Sequence, residues 1–382
     1  MRSNRLTSWL LPPVALAIAR GGALVAPGCE SEAPDDTTKP PEVHVTPPPG
    51  ADPYEKLSDW HLFRDAATQT PADDLVPYEV NSPLFSDYTT KFRFAYVPKG
   101  AAITYSASGQ WELPVGSVLV KTFSYHADLR DPKSPLTILE TRLLWRQPSG
   151  WTVHTYIWDA ALKDAIRNVV GPKIPSTFID ASGATVTNEY TVPNTEECKK
   201  CHSRDNVVSS IGWKTRELNR AFSYGGSVGE KNQIDRFAEL GWLGADLEPA
   251  ATRAALPDPF GSADLASRAR SYLDGNCSHC HMKGGYASQS ALLLDFPSTD
   301  PAVPTASENV GVCKQPTSAG GATCGNVVDI VPGDPAKSIM TCRLDSTDPQ
   351  VKMPPLGNRL IDAAGVKLIE DWIASLPPTT CP

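Results

Sequence analysis

The segment that decides the fold of the first half of the chain is Lys-Phe-Arg-Phe-Ala-Tyr-Val at residues 91–97. Aromatic side chains alternate there with smaller or charged ones, and a period of two is typical of a strand. Pro98, Lys99 and Gly100 then turn the chain. Similar runs of aromatic and β-branched residues lie at 102–106, 117–125, 138–146 and 151–158. Because turn residues separate these short runs, we predict an antiparallel, sandwich-like β-rich domain over residues 54–192, with one short helix at 162–169.

The pattern becomes helical after Pro193. Apolar residues recur at helical spacing in the segments 215–222, 232–240 and 263–274. A last helix is predicted to start at Asp362, a good N-cap, and to end before Pro377. The sequence therefore predicts a multidomain α+β chain, in which mainly α-helical regions at 193–262 and 263–382 follow the β-rich domain.

The overall composition is that of a globular protein. The chain has 382 residues, of which 41% are hydrophobic and 20% charged, enough for two or three domains with cores of their own. The net charge of −8 argues against a strongly basic nucleic-acid-binding protein, so no nucleic acid is expected as a partner. No run of 18 uninterrupted apolar residues occurs, so no transmembrane helix is predicted.

The first 53 residues predict export. Arg2 and Arg5 precede a short apolar run at 9–19, and small residues then lead to Cys29. This order resembles a bacterial lipoprotein signal, so we predict a signal peptide at 1–28 and lipidation of Cys29; ordinary signal cleavage nearby is the alternative. Residues 29–53 are rich in proline and polar residues and predict a disordered tether. The protein is then expected on the periplasmic side of a bacterial membrane, anchored by lipid.

The strongest motif occurs twice, as Cys198-Lys199-Lys200-Cys201-His202 and Cys277-Ser278-His279-Cys280-His281. Two cysteines three residues apart can add to the two vinyl groups of haem, and the following histidine reaches the iron. At this chain's cysteine and histidine frequencies, one such motif is expected by chance about 0.004 times. A thioredoxin-like dithiol needs no following histidine, and a structural zinc site needs four ligands where each motif has three. We therefore predict two covalently bound haem c groups.

The second haem has a candidate for its sixth iron ligand. Met353 follows His281 by 72 residues, and two prolines after it stiffen its loop. Ligation by histidine and methionine raises a haem's reduction potential. The alternatives are that Met353 is simply a buried hydrophobe, or that Met340 is the ligand, although Met340 has the pattern of a helical turn. Met282 lies too close to His281 to reach the other side of the iron.

The sixth ligand of the first haem stays open. No methionine lies between His202 and His281, so a local methionine ligand is not available. Candidates elsewhere in the chain, each with a surface or packing role as the alternative, are His61, His126, His154, Lys214, Met282 and a distant methionine. An open position taken by water is a further alternative, and it would let the iron bind peroxide or another small ligand.

The nine cysteines divide into three groups. Four belong to the two motifs, and Cys29 is the candidate for lipidation. The remaining four are Cys313, Cys324, Cys342 and Cys381. Cys313 and Cys324 flank a glycine-rich loop, which favours the pairs 313–324 and 342–381, although the other two pairings stay possible.

Several motifs together give the chain a family resemblance. Residues 263–378 resemble a bacterial class I cytochrome c domain, through the motifs Asp274-Gly275-Asn276 before the second CxxCH, Pro332-Gly333-Asp334-Pro335 and Met353-Pro354-Pro355. More widely, residues 55–378 resemble a little-characterised family of bacterial dihaem c-type cytochromes. The segments that carry this wider resemblance are 84–87, 121–123, 140–144, the first CxxCH and 214–219. The resemblance implies an exported haem protein without implying a substrate.

Three functional hypotheses follow. The first is a dihaem cytochrome that relays electrons between redox protein partners in the cell envelope. The second is a peroxidase-like oxidoreductase, whose first haem is an open catalytic site; the β-rich half of the chain and the short spacing between the two motifs argue against it. The third is a module that binds a sugar or a surface through its β-rich domain, but no residue indicates a ligand.

Overall fold

The computed structural model describes residues 41–244, 246–317 and 323–382. Residues Glu42–Pro382 form one compact unit, so the predicted regions 54–192, 193–262 and 263–382 are not separate bodies. The predicted signal peptide, Cys29 and most of the predicted tether lie outside the described residues. In the described part, no helix has the length and apolar character needed to cross a bilayer.

A six-stranded antiparallel sheet forms the centre of the fold. Its strands follow one another in sequence order: β3 (Val76–Pro77), β4 (Thr90–Tyr96), β5 (Val118–His126), β6 (Leu136–Gln147), β7 (Gly150–Trp158) and β8 (Ala165–Arg167). Four two-stranded hairpins accompany it: β1 (Phe63–Asp65) with β2 (Thr70–Pro71), β9 (Lys173–Ile179) with β10 (Thr185–Thr191), β11 (Ser203–Arg204) with β12 (Val207–Val208), and β13 (Ala221–Ser223) with β14 (Glu230–Asn232). The prediction of an antiparallel β-rich first half is confirmed.

Two local predictions in this half are wrong. The segment 102–106 is not a strand of the sheet; it has a single bridge, between Thr104 and Glu112, because the Ile103 N–H is donated to the carbonyl of Trp242 instead. The segment 162–169 contains strand β8 and no helix. There Ile166 pairs with Ile157 of β7, so pairing with a neighbouring strand outweighs the local helical spacing.

One face of the sheet is covered by the N-terminal segment. Phe94, Val120 and Leu143 share a buried cluster with Trp60 and Val45. The Val45 N–H donates to Asp74 Oδ1 at 2.9 Å, which fixes the segment on the sheet. The prediction of a disordered tether over 29–53 is therefore wrong from Glu42 onward. It rested on the proline-rich composition of the whole segment, whereas Val43 and Val45 pack against the sheet.

The opposite face is covered by the residues around the first CxxCH motif. Ala95, Leu119 and Leu144 share a buried cluster with Trp213 and Phe237. Loops and short helices therefore cover the sheet, where a sandwich-like domain would have had a second sheet of similar size. This packing places the first motif against the sheet.

The second half of the chain contains seven α-helices within the described residues. Their bounds are α1 (Thr195–His202), α2 (Thr215–Leu218), α3 (Gln233–Glu239), α4 (Leu265–Asn276), α5 (Ala306–Val310), α6 (Ile339–Leu344) and α7 (Ala363–Ser375). Three 3-10 turns lie at Ser58–Trp60, Ser288–Ser290 and Pro335–Lys337. Asp362 caps α7 by accepting from the Gly365 N–H at 3.1 Å, as predicted.

The prediction that this half is mainly helical is wrong. Most helices are short and are joined by long loops and turns. In the segment 215–222 the helix ends at Leu218, and the chain then enters strand β13. Leu218 and Phe222, which suggested one helical face, therefore belong to different elements. The hairpin that follows, with Gly225, Gly226 and Gly229 at positive φ, replaces the longer helix.

The disulfide pairing differs from the favoured prediction. Cys313 pairs with Cys381, and Cys324 pairs with Cys342, across Cα–Cα distances of 5.0 and 6.6 Å. The segment after α7 therefore packs next to Cys313. The glycine-rich loop between Cys313 and Cys324, on which the prediction rested, gave no indication of this pairing. The four thiols of the CxxCH motifs stay free of disulfides.

Helix α4, which leads into the second motif, packs tightly on the loop after β3. A Cβ at Gly275 would overlap the carbonyl oxygen of Ser82 and lie 2.8 Å from its Cβ. We expect Gly275→Ala to lower the free energy of unfolding by about 1–3 kcal/mol, since the helix must move away from the loop. The matched control is Gly244→Ala, where no atom lies within 4 Å of the added methyl. Thermal unfolding of both variants checks this, and equal stabilities would contradict the close packing.

Candidate functional site

Helix α1 presents the first CxxCH motif. Asn194 and Glu197 form a capping box: the Asn194 side chain accepts from the Glu197 N–H at 2.9 Å, and the Glu197 carboxylate accepts from the Asn194 N–H at 3.0 Å. This cap fixes the start of a helix of only two turns. Cys198 and Cys201, three residues apart, therefore lie on the same side of the helix, with His202 at its last position.

His202 is held in the state that an iron ligand requires. Its Nδ1 lies 3.1 Å from the Ser209 carbonyl oxygen, so Nδ1 carries the proton and donates it to that oxygen. This leaves the Nε2 lone pair free, as in histidine ligands of metals generally. Burial lowers the pKa of His202 to about 4, so the ring is neutral at pH 7.

The second motif begins where α4 ends. Cys277 is the C-cap of α4 and donates its N–H to the Leu273 carbonyl. His281 Nδ1 lies 3.0 Å from Ser290 Oγ, which orients the ring as Ser209 orients His202. Burial lowers the pKa of His281 to about 4, so this imidazole is also neutral at pH 7. Both motifs thus offer a neutral, oriented imidazole.

Each motif lines a cavity of its own. The first cavity lies between the sheet and α1 and contains Cys198, Cys201 and His202; the second contains Cys277, Cys280 and His281. Their volumes are about 160 and 240 Å³, and both cavities open to solvent.

The second cavity contains both methionines that the sequence singled out. Met353 and Met340 line it together with His281. Met340 lies in α6, as its helical pattern predicted. Met353 lies in a loop that is stabilised by the Lys352 side chain. Lys352 Nζ donates to the carbonyl oxygens of Pro354 and Asn358 at 2.8 and 3.0 Å. Met353 stays the predicted sixth ligand, and Met340 is the natural comparison.

The first cavity contains one of the residues considered as the sixth ligand of the first haem. Lys214 lines it, and its Nζ lies 3.6 Å from Asp274 Oδ1. His61, His126 and His154 are not among the residues that line this cavity. His154 lines a separate cleft on the other side of α1.

The two motifs lie against one another, although 79 residues separate Cys198 from Cys277. The Sγ atoms of Cys201 and Cys280 and one ring nitrogen of His279 all lie within 4.8 Å of one another. Asp205 also donates its N–H to the Gly284 carbonyl at 2.8 Å, which joins the loops that follow the motifs. The residues around each motif do not predict this contact, because it depends on how the whole chain folds.

His279 occupies the boundary between the two cavities. This residue is the third of the second motif, and it lines both cavities. Pro354, next to Met353, also lines both. Neither residue stood out in the sequence as a bridging position. The two cavities are therefore neighbours, with His279 and Pro354 at their boundary.

A bound metal ion is the alternative use of this cluster. Cys201, His279 and Cys280 supply three candidate ligands, and no fourth His, Cys, Asp or Glu joins them among the described residues. A structural zinc site is closed by four ligands. The cluster is thus an incomplete zinc site, whereas each motif is a complete attachment set for haem. The oriented imidazoles, each beside two free cysteines that line a cavity open to solvent, fit haem at both motifs.

No protein-family model, curated protein or solved structure matches this chain.

Proposed function

We propose that the protein is an exported dihaem c-type cytochrome that relays electrons between redox partners in the cell envelope. The proposal assigns one haem to Cys198 and Cys201, with His202 on its iron. It assigns the other to Cys277 and Cys280, with His281 and Met353 on its iron. The contact between the two motifs is the observation that carries the proposal, because electron transfer weakens steeply with distance and neighbouring haems exchange electrons directly.

The chain's own groups supply orientation and protection. Ser209 and Ser290 hold the two imidazoles through Nδ1, and the low pKa values keep both rings neutral at pH 7. Sheet residues line the first cavity, and the loop that begins at Met353 lines the second. A covalently held haem would supply a reversible one-electron iron couple. Thioether bonds from the cysteines would keep that couple in place through repeated exchange.

A second candidate is a peroxidase-like oxidoreductase that reacts at the first haem. One observation favours it: among the described residues, no methionine lines the first cavity, and the three histidines considered for the sixth position lie elsewhere. If the sixth position is open, a small ligand can reach the iron. The same cavity contains Lys214 and His279, so other ligands are near.

The spin state of the first haem separates these two candidates. For the relay, electron paramagnetic resonance of the oxidised protein should show two low-spin irons, and carbon monoxide should leave the reduced spectrum unchanged. High-spin iron at the first site, with cyanide binding and peroxide turnover, would contradict the relay and support the oxidoreductase. The Cys277→Ala/Cys280→Ala variant, which keeps only the first haem, assigns the signal to its site.

The predicted location stays part of the proposal. A lipidated Cys29 would hold the protein on the periplasmic side of a bacterial membrane, where partners are other redox proteins and no nucleic acid is involved. Cys29 lies outside the described residues, so its support is the order of charged, apolar and small residues before it.

A further inference from the structure

Three basic residues form a row across the central sheet. Arg93 of β4 is directly opposite Lys121 of β5, and Lys121 is directly opposite Arg142 of β6. Directly opposite side chains point to the same face of a sheet, and like charges in this relation are destabilising. All three residues line the first cavity, which also contains His202. We call them the basic row.

The middle member of the basic row has no anionic partner. Arg93 donates to Glu79 Oε2 at 2.7 Å, and Arg142 Nε donates to Glu140 Oε2 at 2.8 Å. Among the described residues, no carboxylate oxygen lies within 4.0 Å of Lys121 Nζ. Lys121 Nζ lies over the ring of Phe123, 4.9 Å from its centroid. Burial lowers the pKa of Lys121 well below its usual value, and Arg93 lowers it further.

The acidic residues of the first cavity are engaged elsewhere. Glu197 accepts from the Asn194 N–H in the capping box of α1. Asp274 accepts from the Ser278 hydroxyl and lies near Lys214. Glu217 accepts from the Ser82 N–H at 3.0 Å, and burial raises its pKa to about 7. None of these groups forms an ion pair with Lys121, so an anion that binds in the cavity would meet a lysine without a carboxylate partner and would favour its charged form.

We propose that the basic row binds the propionate carboxylates of the haem attached to Cys198 and Cys201, with Lys121 as the principal contact. The inference rests on the proposed function, because it requires that haem. Haem carries two carboxylates on one edge, and a row of cations on neighbouring strands matches such a pair. Hydrogen bonds between ionised partners are about twice as strong as neutral ones, which would offset the repulsion within the row.

The test measures the reduction potential of each haem in the holoprotein. Lys121→Met keeps the length of the side chain and removes its charge, so the oxidised iron is stabilised and the potential of one haem should fall while the other stays the same. Lys121→Arg keeps the charge and should keep both potentials. The matched control is Lys173→Met on β9, an exposed lysine paired with Glu189, which should change neither potential.

Several results would overturn this inference while leaving the proposed function intact. Two bound haems with unchanged potentials in Lys121→Met would show that the row does not contact haem. A change from low to high spin in Lys121→Arg would make Lys121 an iron ligand instead. A saturable shift of the wild-type potential with inorganic phosphate would show that the row binds a free anion. Absence of haem from the wild-type protein would instead defeat the proposed function itself.

Discussion

Replacing Cys198 and Cys201 with alanine is expected to halve the haem content of the protein, from two per chain to one. Each pair of cysteines supplies both thioether bonds of one haem, and the two pairs line different cavities. Cys277→Ala/Cys280→Ala should lose the other haem. Haem content is measured from the pyridine haemochrome spectrum against protein concentration, in material matured in the periplasm.

The matched control for these variants is Cys324→Ala/Cys342→Ala. It also removes two cysteines, but these form a disulfide and belong to neither motif. We expect it to keep two haems and to lose about 2–4 kcal/mol of stability, as is typical when a disulfide is removed. If all three double variants carried the same amount of haem, the assignment of the motifs would be wrong.

Replacing Met353 with leucine is expected to abolish the sulfur-to-iron charge-transfer band of the oxidised protein. Leucine has nearly the volume of methionine, so packing should change little, while the sulfur ligand is lost. The potential of the second haem should fall by on the order of 0.1 V, a fraction of the roughly 0.8 V range that axial ligands set. The first haem should keep its potential, which a redox titration of the purified protein checks.

Met340→Leu is the control, because Met340 lines the same cavity from α6. It should keep both the band and the potential. The opposite outcome, with the band lost in Met340→Leu and kept in Met353→Leu, would transfer the ligand role to Met340. If both variants kept the charge-transfer band, the iron of the second haem would have neither methionine as its ligand.

The sequence predicted the long strands of the sheet because each is a run of aromatic and β-branched residues bounded by turn residues. The segment 91–97 corresponds to β4, and 117–125 corresponds to β5, within one residue at each end. Periodicity failed where a distant segment decides the local structure. Segment 162–169 is an edge strand because β7 offers it hydrogen bonds, and residues 42–53 are ordered because the sheet buries Val45.

The candidate site could be predicted only in part. The motif residues and Met353 were identifiable because the chemistry of haem attachment fixes their spacing. The meeting of Cys201 with Cys280, and the place of His279 between two cavities, depend on a tertiary contact between α1 and the turn that follows α4. The basic row depends on strand register, which a sequence alone does not fix.

Asp87 shows how the two halves of the chain build the site together. Its side chain accepts the N–H groups of Arg359 and Leu360 at 2.7 and 2.8 Å, just after the Met353 loop. These two hydrogen bonds therefore join the segment that follows the Met353 loop to the β-rich half of the chain. Nothing in the local sequence of either segment indicates this contact, since Asp87 and Arg359 are 272 positions apart.

The most direct test of the account is the mass of the intact protein after maturation in a cell envelope that attaches haem. Under denaturing conditions, which remove any non-covalent ligand, the chain should be heavier than its mature polypeptide by two haem groups beyond any lipid. Peptide mapping should place one group on Cys198 and Cys201 and the other on Cys277 and Cys280. A mature chain without covalent haem on either pair would contradict the account.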